Sequence, residues 1–205
     1  MNALILSGGH SSRMGRDKAL INYLGQPHAF FLRKLVAPWC EHTFISCRKE
    51  QQPVFEQAGY DGDFLFDDDK WGDIGPLKAL LTAFEHHNTD WLVLACDYPL
   101  FSKTDLTTLL QHHRPETLAT VFKEENEPFC EPLLGIYSPN AREYLLEWHQ
   151  KGQQSLQKFL MQHEPVTFVA PPHPFYFVNA NSNAEFQRIL GFLDNGIIHY
   201  LNKNY

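Results

Sequence analysis

Short apolar runs alternate with longer amphipathic ones along the first half of the chain. Residues 3–6 (ALIL), 43–47 (TFISC), 63–69 (DFLFDDD) and 91–97 (WLVLACD) are brief and rich in apolar, β-branched or aromatic side chains, which predicts buried strands. The last of these is the most apolar and is expected at the centre of a sheet. Helices are predicted between them, over 28–39 with a stop near Pro38, over 53–59 with Gly59 closing it, and over 75–87. In that third helix Leu77, Leu80, Leu81 and Phe84 fall on one face. Residues 102–113 open on Ser-x-x-Asp, a pairing in which both side chains can meet free backbone donors at a helix start. Such alternation with short loops predicts an α/β fold, doubly wound, with a mostly parallel sheet and helices on both faces.

The second half is less regular. A pair of strands is expected over 118–123 and 130–138, then helices over 139–152 and 155–163. Strands over 166–170 and 175–179 flank the turn PPHP, and a last helix covers 182–193. The pattern shows no internal repeat or linker, and 205 residues suit one sizeable core.

In a doubly wound sheet, ligands sit beyond the carboxyl ends of the strands. The unusual residues of this chain fall at such places: Gly8 and Gly9 after the first strand, Asp67 to Asp69 after the third, Asp97 after the fourth. The first of these sites opens the stretch LILSGGHSSRMGRDKALI, residues 4–21. Two glycines let backbone N–H groups approach a phosphate or base closely. Ser11 and Ser12 add hydroxyls, Arg13 offers a planar fork for phosphate oxygens, and Lys18 a compact point charge. The stretch is neither a P-loop, since five residues separate Gly9 from Gly15 and Arg16 follows, nor a Gly-x-Gly-x-x-Gly dinucleotide fingerprint.

Charge narrows the ligand. With a formal net charge of -7 the chain lacks the broad positive field that duplex nucleic acid requires, so a phosphate must be caught locally. Cys40, Cys47, Cys96 and Cys130 form no CxxC pair and have no metal-type spacing with histidine, which fits reduced, small apolar residues. No signal peptide is visible and no window approaches the roughly 20 apolar residues of a membrane span. A cytoplasmic protein is expected.

The Leu-x-Gly-Gly-x-Ser-x-Arg-Met-Gly-x-Asp-Lys stretch resembles the N-terminal motif of Rossmann-like nucleotidyltransferases, above all the molybdenum cofactor guanylyltransferase family (molybdopterin-guanine dinucleotide biosynthesis protein A). The similarity extends over most of the chain. DIGPL (73–77), ACDYPL (95–100), EPLLGIY (131–137) and VNANSNAEF (178–186) follow in the family's order, with Ser182 and Asn183 where its pattern has Thr-Pro. The resemblance implies transfer of GMP from GTP to the terminal phosphate of molybdopterin, with release of pyrophosphate and Mg²⁺ as cofactor. It implies a single domain over 1–205, with a nucleotide-binding half (1–115) and an acceptor-binding half (116–195).

Carried over residue by residue, it implies nucleotide contacts from Leu6, Ser7, Gly8, Gly9, Lys18, Ser46, Asp68, Gly75 and Asp97. Ser46 stands where some members carry asparagine, and Asp68 lies seven residues before Gly75. A carboxylate suits guanine because it accepts from both N1–H and the N2 amino group. Asp97 would hold Mg²⁺, a hard cation that takes few carboxylates and completes its shell with phosphates and water. Arg13, Lys18 and Asp97 would carry catalysis, and Asn179 and Asn181 the acceptor side. Implied partners are GTP and molybdopterin, with transient contacts to proteins that deliver molybdopterin or receive the product, and neither nucleic acid nor membrane. A molybdopterin cytidylyltransferase, a sugar-phosphate nucleotidyltransferase and a non-catalytic nucleotide-binding module stay open beside this reading. Trp71 suits either a base contact or packing. The pairs His86–His87 and His112–His113 are expected at the surface, where a partial positive charge suits a helix end.

Overall fold

The computed structural model describes residues 1–7, 18–23, 25–173, 178–179 and 183–192, with the backbone only at Lys18, Asn183, Ala184, Phe186, Leu190 and Phe192. Seven strands form one sheet in the order β3-β2-β1-β4-β6-β5-β7. They are β1 (Asn2–Leu6), β2 (Thr43–Cys47), β3 (Asp63–Phe66), β4 (Trp91–Ala95), β5 (Ala119–Phe122), β6 (Glu131–Tyr137) and β7 (Val166–Val169). Every adjacent pair is parallel except those made by β6, which runs against both β4 and β5. All residues of β1 and β4 are buried, so helices cover both faces of the sheet's middle.

The helices are α1 (His28–Val36), α2 (Gln52–Gln57), α3 (Pro76–His86), α4 (Lys103–His112), α5 (Ala141–Gln150), α6 (Leu156–Gln162) and α7 (Asn183–Phe192). None of the described helices is long and apolar enough to cross a membrane. In α3 the expected face is the buried one: Leu77, Leu80, Leu81 and Phe84 are all in the core. The helix starts at Pro76 behind Gly75, whose φ of 59° a side chain would resist. The Ser-x-x-Asp start of α4 forms both bonds of a capping box, Asp105 N–H to Ser102 Oγ at 3.4 Å and Ser102 N–H to Asp105 Oδ2 at 2.8 Å.

Three expectations change. The strand predicted over 63–69 ends at Phe66, and the acidic run turns into a 3-10 turn at Asp69–Trp71. Aspartate side chains compete for nearby backbone N–H groups, and Asp68 caps this turn by accepting from Lys70 N–H at 3.0 Å. His113 is not a surface residue: it stands 10% exposed against Asp90, at 3.4 Å. The strand predicted over 175–179 falls largely outside the described residues, and Val178 and Asn179 are not in a strand.

The antiparallel pair β5–β6 is tight. A Cβ on Gly135 of β6 would meet Val121 Cγ1 at 2.5 Å and the Thr120 carbonyl at 2.7 Å, next to a register shift between Val121 and Phe122. Glycine allows β5 and β6 to approach there.

Candidate active site

The carboxyl ends of β1, β2, β3 and β4 open into one cleft of about 580 Å³, closed on one side by the start of α3. Antiparallel β6 begins where β4 ends, so its first residues reach the same rim. The cleft therefore joins parts of the chain that are far apart in sequence.

One end of the cleft is a chain of short hydrogen bonds across three neighbouring strands. The Ser7 hydroxyl donates to the Ser46 carbonyl at 2.7 Å, and the Ser46 hydroxyl to Asp67 Oδ1 at 2.7 Å. Burial raises the Asp67 carboxyl above the usual aspartate range, opposed by the Ser46 bond and by the charges of Lys78 and Arg48. Lys78, one turn into α3, lines the cleft and pairs with Asp69 at 2.9 Å. The backbone N–H groups at the start of α3 add a partial positive charge.

Asp68 differs from its neighbours. Its carboxylate accepts from Lys70 N–H and pairs with the Lys70 ammonium at 3.3 Å, and these contacts hold it below the usual range. Asp67 and Asp69 line the cleft and Asp68 does not. Trp71 packs edge-on against His149 at 5.6 Å and does not line the cleft either.

The other end centres on Asp97, just past β4. Asn179 donates from Nδ2 to Asp97 Oδ2 at 3.0 Å, across 82 positions of sequence. Asp97 Oδ1 and Asn179 Oδ1 are both buried, with no hydrogen-bond partner among the described residues. Buried oxygens without partners are costly unless something fills the role. The next residue, Tyr98, donates its phenol proton to Glu131 Oε2 at 2.6 Å, and Glu131 Oε1 accepts from Leu133 N–H at 2.9 Å. Burial pushes the Glu131 carboxyl up, the Tyr98 and Leu133 bonds oppose this, and the Asp97 charge adds to it. His28 Nε2–H donates to the Tyr98 carbonyl at 3.2 Å. Burial drives the His28 pKa down to about 4, with that bond opposing.

Among the sequence-predicted site residues, Leu6, Ser7, Ser46, Gly75 and Asp97 line the cleft, and Asn179 joins it through Asp97. Gly8, Gly9, Arg13 and Asn181 lie outside the described residues, and Lys18 opens a short 3-10 turn, Lys18–Leu20. Sequence reasoning placed Asp67 at a strand end but gave it no role of its own, and passed over Arg48, Lys78, Tyr98 and Glu131. The only signals were their places beside noted motifs: Lys78 just after GPL, Tyr98 inside ACDYPL, Glu131 at the head of EPLLGIY. Among the described residues no group of three or more His, Cys, Asp or Glu could hold a metal ion.

Comparison with known proteins adds a lineage to this geometry. Residues 3–166 match the family model for the MobA-like NTP transferase domain. The molybdenum cofactor biosynthesis bifunctional protein of Synechocystis sp. is 32% identical over 191 residues, covering 91% of this chain and 52% of that protein. The chain thus spans about half the length of that relative. The molybdenum cofactor guanylyltransferase of Pseudomonas fluorescens is 32% identical over 186 residues, covering 88% of this chain and 89% of that one. The crystal structure of molybdopterin-guanine dinucleotide biosynthesis protein A from Archaeoglobus fulgidus superposes with a TM-score of 0.75 at 21% identity, over 95% of this chain and 100% of that one. This last likeness bears on the fold.

Proposed function

The chain belongs to the MobA-like NTP transferase family, and from that premise we propose that it transfers GMP from GTP to the terminal phosphate of molybdopterin and releases pyrophosphate. The observation that carries this is the division of one cleft into a polar, carboxylate-bearing end and an end with two buried oxygens that have no partner among the described residues. The first suits a base and the second a metal–triphosphate. The strand order β3-β2-β1-β4 puts three strand spacings between Asp67 and Asp97, about 14 Å. That span matches a nucleotide laid across the strand ends.

A divalent cation fits the Asp97 end. Hard cations take oxygen ligands, and Mg²⁺ takes few from protein. Asp97 Oδ1 and Asn179 Oδ1 are two such oxygens without hydrogen-bond partners among the described residues. When bound, the ion supplies neutralisation of triphosphate charge. The chain's own residues do the rest. Gly8, Gly9 and Ser7 offer backbone to the nucleotide, and Arg13 and Lys18 take up negative charge on the triphosphate. The positive end of α3, reached through Gly75, adds to that field. Ser46 and the turn at Asp67 to Asp69 read the base, with Asp68 the residue carried over from the family motif and Asp67 the cleft-lining carboxylate bonded to Ser46. Asn179 and Asn181 border the acceptor, and Asn179 also holds Asp97.

The acceptor phosphate oxygen attacks the α-phosphorus in line. A new P–O bond forms, the bond to the bridging oxygen breaks, and that electron pair leaves with pyrophosphate. No covalent enzyme intermediate is required, so catalysis rests on positioning and charge stabilisation. A reducing, cytoplasmic setting goes with four free cysteines, and transient partners would deliver molybdopterin or accept the product. The test is pyrophosphate release from GTP, CTP, ATP and UTP with molybdopterin and Mg²⁺. Release with GTP alone is expected. Equal release with all four would remove guanine from the proposal, and none with any would remove the transferase.

A further inference from the structure

The cleft is lined by two cations that the transfer chemistry does not use, Arg48 and Lys78. Lys78 is the more constrained. It stands on the first turn of α3, where Leu77, Ala79, Leu80 and Leu81 around it are all in the core, so its backbone is fixed by packing. Arg48 lies in the turn between β2 and the short 3-10 turn Lys49–Gln51. The Lys78 side chain is only 17% exposed. An ammonium has three protons to donate, and shielding it from water is costly unless they find acceptors. Among the described residues Lys78 Nζ makes one hydrogen bond, to Asp69 Oδ1 at 2.9 Å. That carboxylate is 101% exposed, so the pair is screened by solvent. Lys78 thus brings a shielded ammonium to the cleft wall with donors to spare.

The hydrogen-bonding edge of guanine has two parts of opposite sign. N1–H and the N2 amino group donate, and O6 beside them accepts. A carboxylate serves the two donors and leaves O6 without one. An acceptor enclosed in that state is unfavourable. A cation beside the carboxylate serves it, as Arg or Lys serves guanine O6 in DNA recognition. Lys78 has this place: it bonds Asp69 in the acidic turn and lines the same cleft as Asp67. We propose that Lys78 is a specificity-determining residue whose ammonium donates to O6 of guanine, while the neighbouring carboxylate accepts from N1–H and the N2 amino group. This rests on the guanine-nucleotide reading of the cleft. Adenine has an amino group in place of O6, and cytosine has one at the matching position of its edge. Either would turn a donor toward the ammonium.

The test measures equilibrium binding of GTP, ITP and 6-thioguanosine triphosphate to the full chain with Mg²⁺. The thio analogue keeps N1–H and the N2 amino group and carries sulfur, a weak acceptor, in place of O6. ITP keeps O6 and lacks the amino group. Wild type should favour GTP over the thio analogue about tenfold. Lys78→Met should remove most of that preference and retain the one for GTP over ITP. Lys78→Ala decides if the methionine variant fails to fold. A preference over the thio analogue that survives the substitution would overturn the proposal, including the case in which all three nucleotides bind equally less well, since Lys78 would then be a charge contact to phosphate. Loss of the preference in Arg48→Gln, and not in the Lys78 variants, would overturn it in favour of Arg48. So would a wild type that selects GTP over ATP, CTP and UTP yet binds the thio analogue as tightly. A wild type without preference among those four nucleotides would overturn the guanine reading itself, and this inference with it.

Discussion

The two ends of the cleft are built on different principles. At the base end the acidic turn is local: Asp68 bonds Lys70 two residues on, and Asp69 pairs with Lys78 nine residues on. Its side chains are partly exposed, Asp68 at 42% and Asp69 at 101%, so their ion pairs are screened and weak. At the Asp97 end, the proposed metal site, three bonds are long-range and at least partly buried: Asn179 reaches Asp97, Tyr98 reaches Glu131, and His28 reaches the Tyr98 carbonyl. The contrast suggests that recognition tolerates adjustment while the chemistry is held by the core. It predicts that substitutions at the metal end are severe and those at the base end graded.

The largest effect is expected at Asp97. Asp97→Asn keeps the shape and removes the charge, and should cost up to about 10³-fold in Mg²⁺-dependent pyrophosphate release. Nucleotide affinity in chelator should hold or rise, because a carboxylate near a triphosphate repels it without a cation. If affinity in chelator drops along with turnover, the residue supports the fold and not the metal.

His28 tests whether this end is tied to the core. The unfolded chain takes up a proton on this side chain near pH 6.5, the folded protein only near pH 4. Between those values the unfolded state binds more protons, so stability falls as the pH is lowered through this window. The loss is on the order of 3 kcal/mol at its lower edge. Urea melts from pH 7 to pH 4 should show this slope in wild type and a flatter one in His28→Gln. Equal slopes would detach His28 from the contrast.

Lys18 should come next, with Lys18→Ala losing about 10²-fold in turnover, as when one preorganised charge-stabilising donor is removed. Its melting temperature should stay near wild type. Near-normal turnover would move the phosphate contact to Arg13.

The smallest effects are expected at the base end, where they sharpen the choice between neighbouring carboxylates. Guanine carries an N2 amino group that hypoxanthine lacks, so the preference for GTP over ITP reports the carboxylate that reads it. Removing that carboxylate should shrink the preference by about 1–3 kcal/mol. Asp67→Asn and Asp68→Asn are compared, and the variant that loses the preference identifies the reader. A preference intact in both would place base recognition elsewhere.

Much of this was legible without coordinates because it depends on local order. The alternation of apolar runs determined the strands and helices, since burial and periodicity are properties of neighbouring residues. Gly75 before Pro76 and Ser102 with Asp105 were readable because capping acts over three or four positions. The Gly-Gly, Asp-x-Pro and Asn-x-Asn stretches determined which family the chain belongs to. Other features depended on which strand lies beside which. The reversal of β6 brings Glu131 to the end of β4, and EPLLGIY taken alone carries no sign of it. On paper only a family position set Asp68 apart from the two aspartates beside it, and only the turn at Asp69–Trp71 separates the one facing Ser46 from the one facing Lys70. Sequence sets what each residue can donate or accept; tertiary packing decided which donor meets which acceptor, because those partners lie up to 82 residues apart.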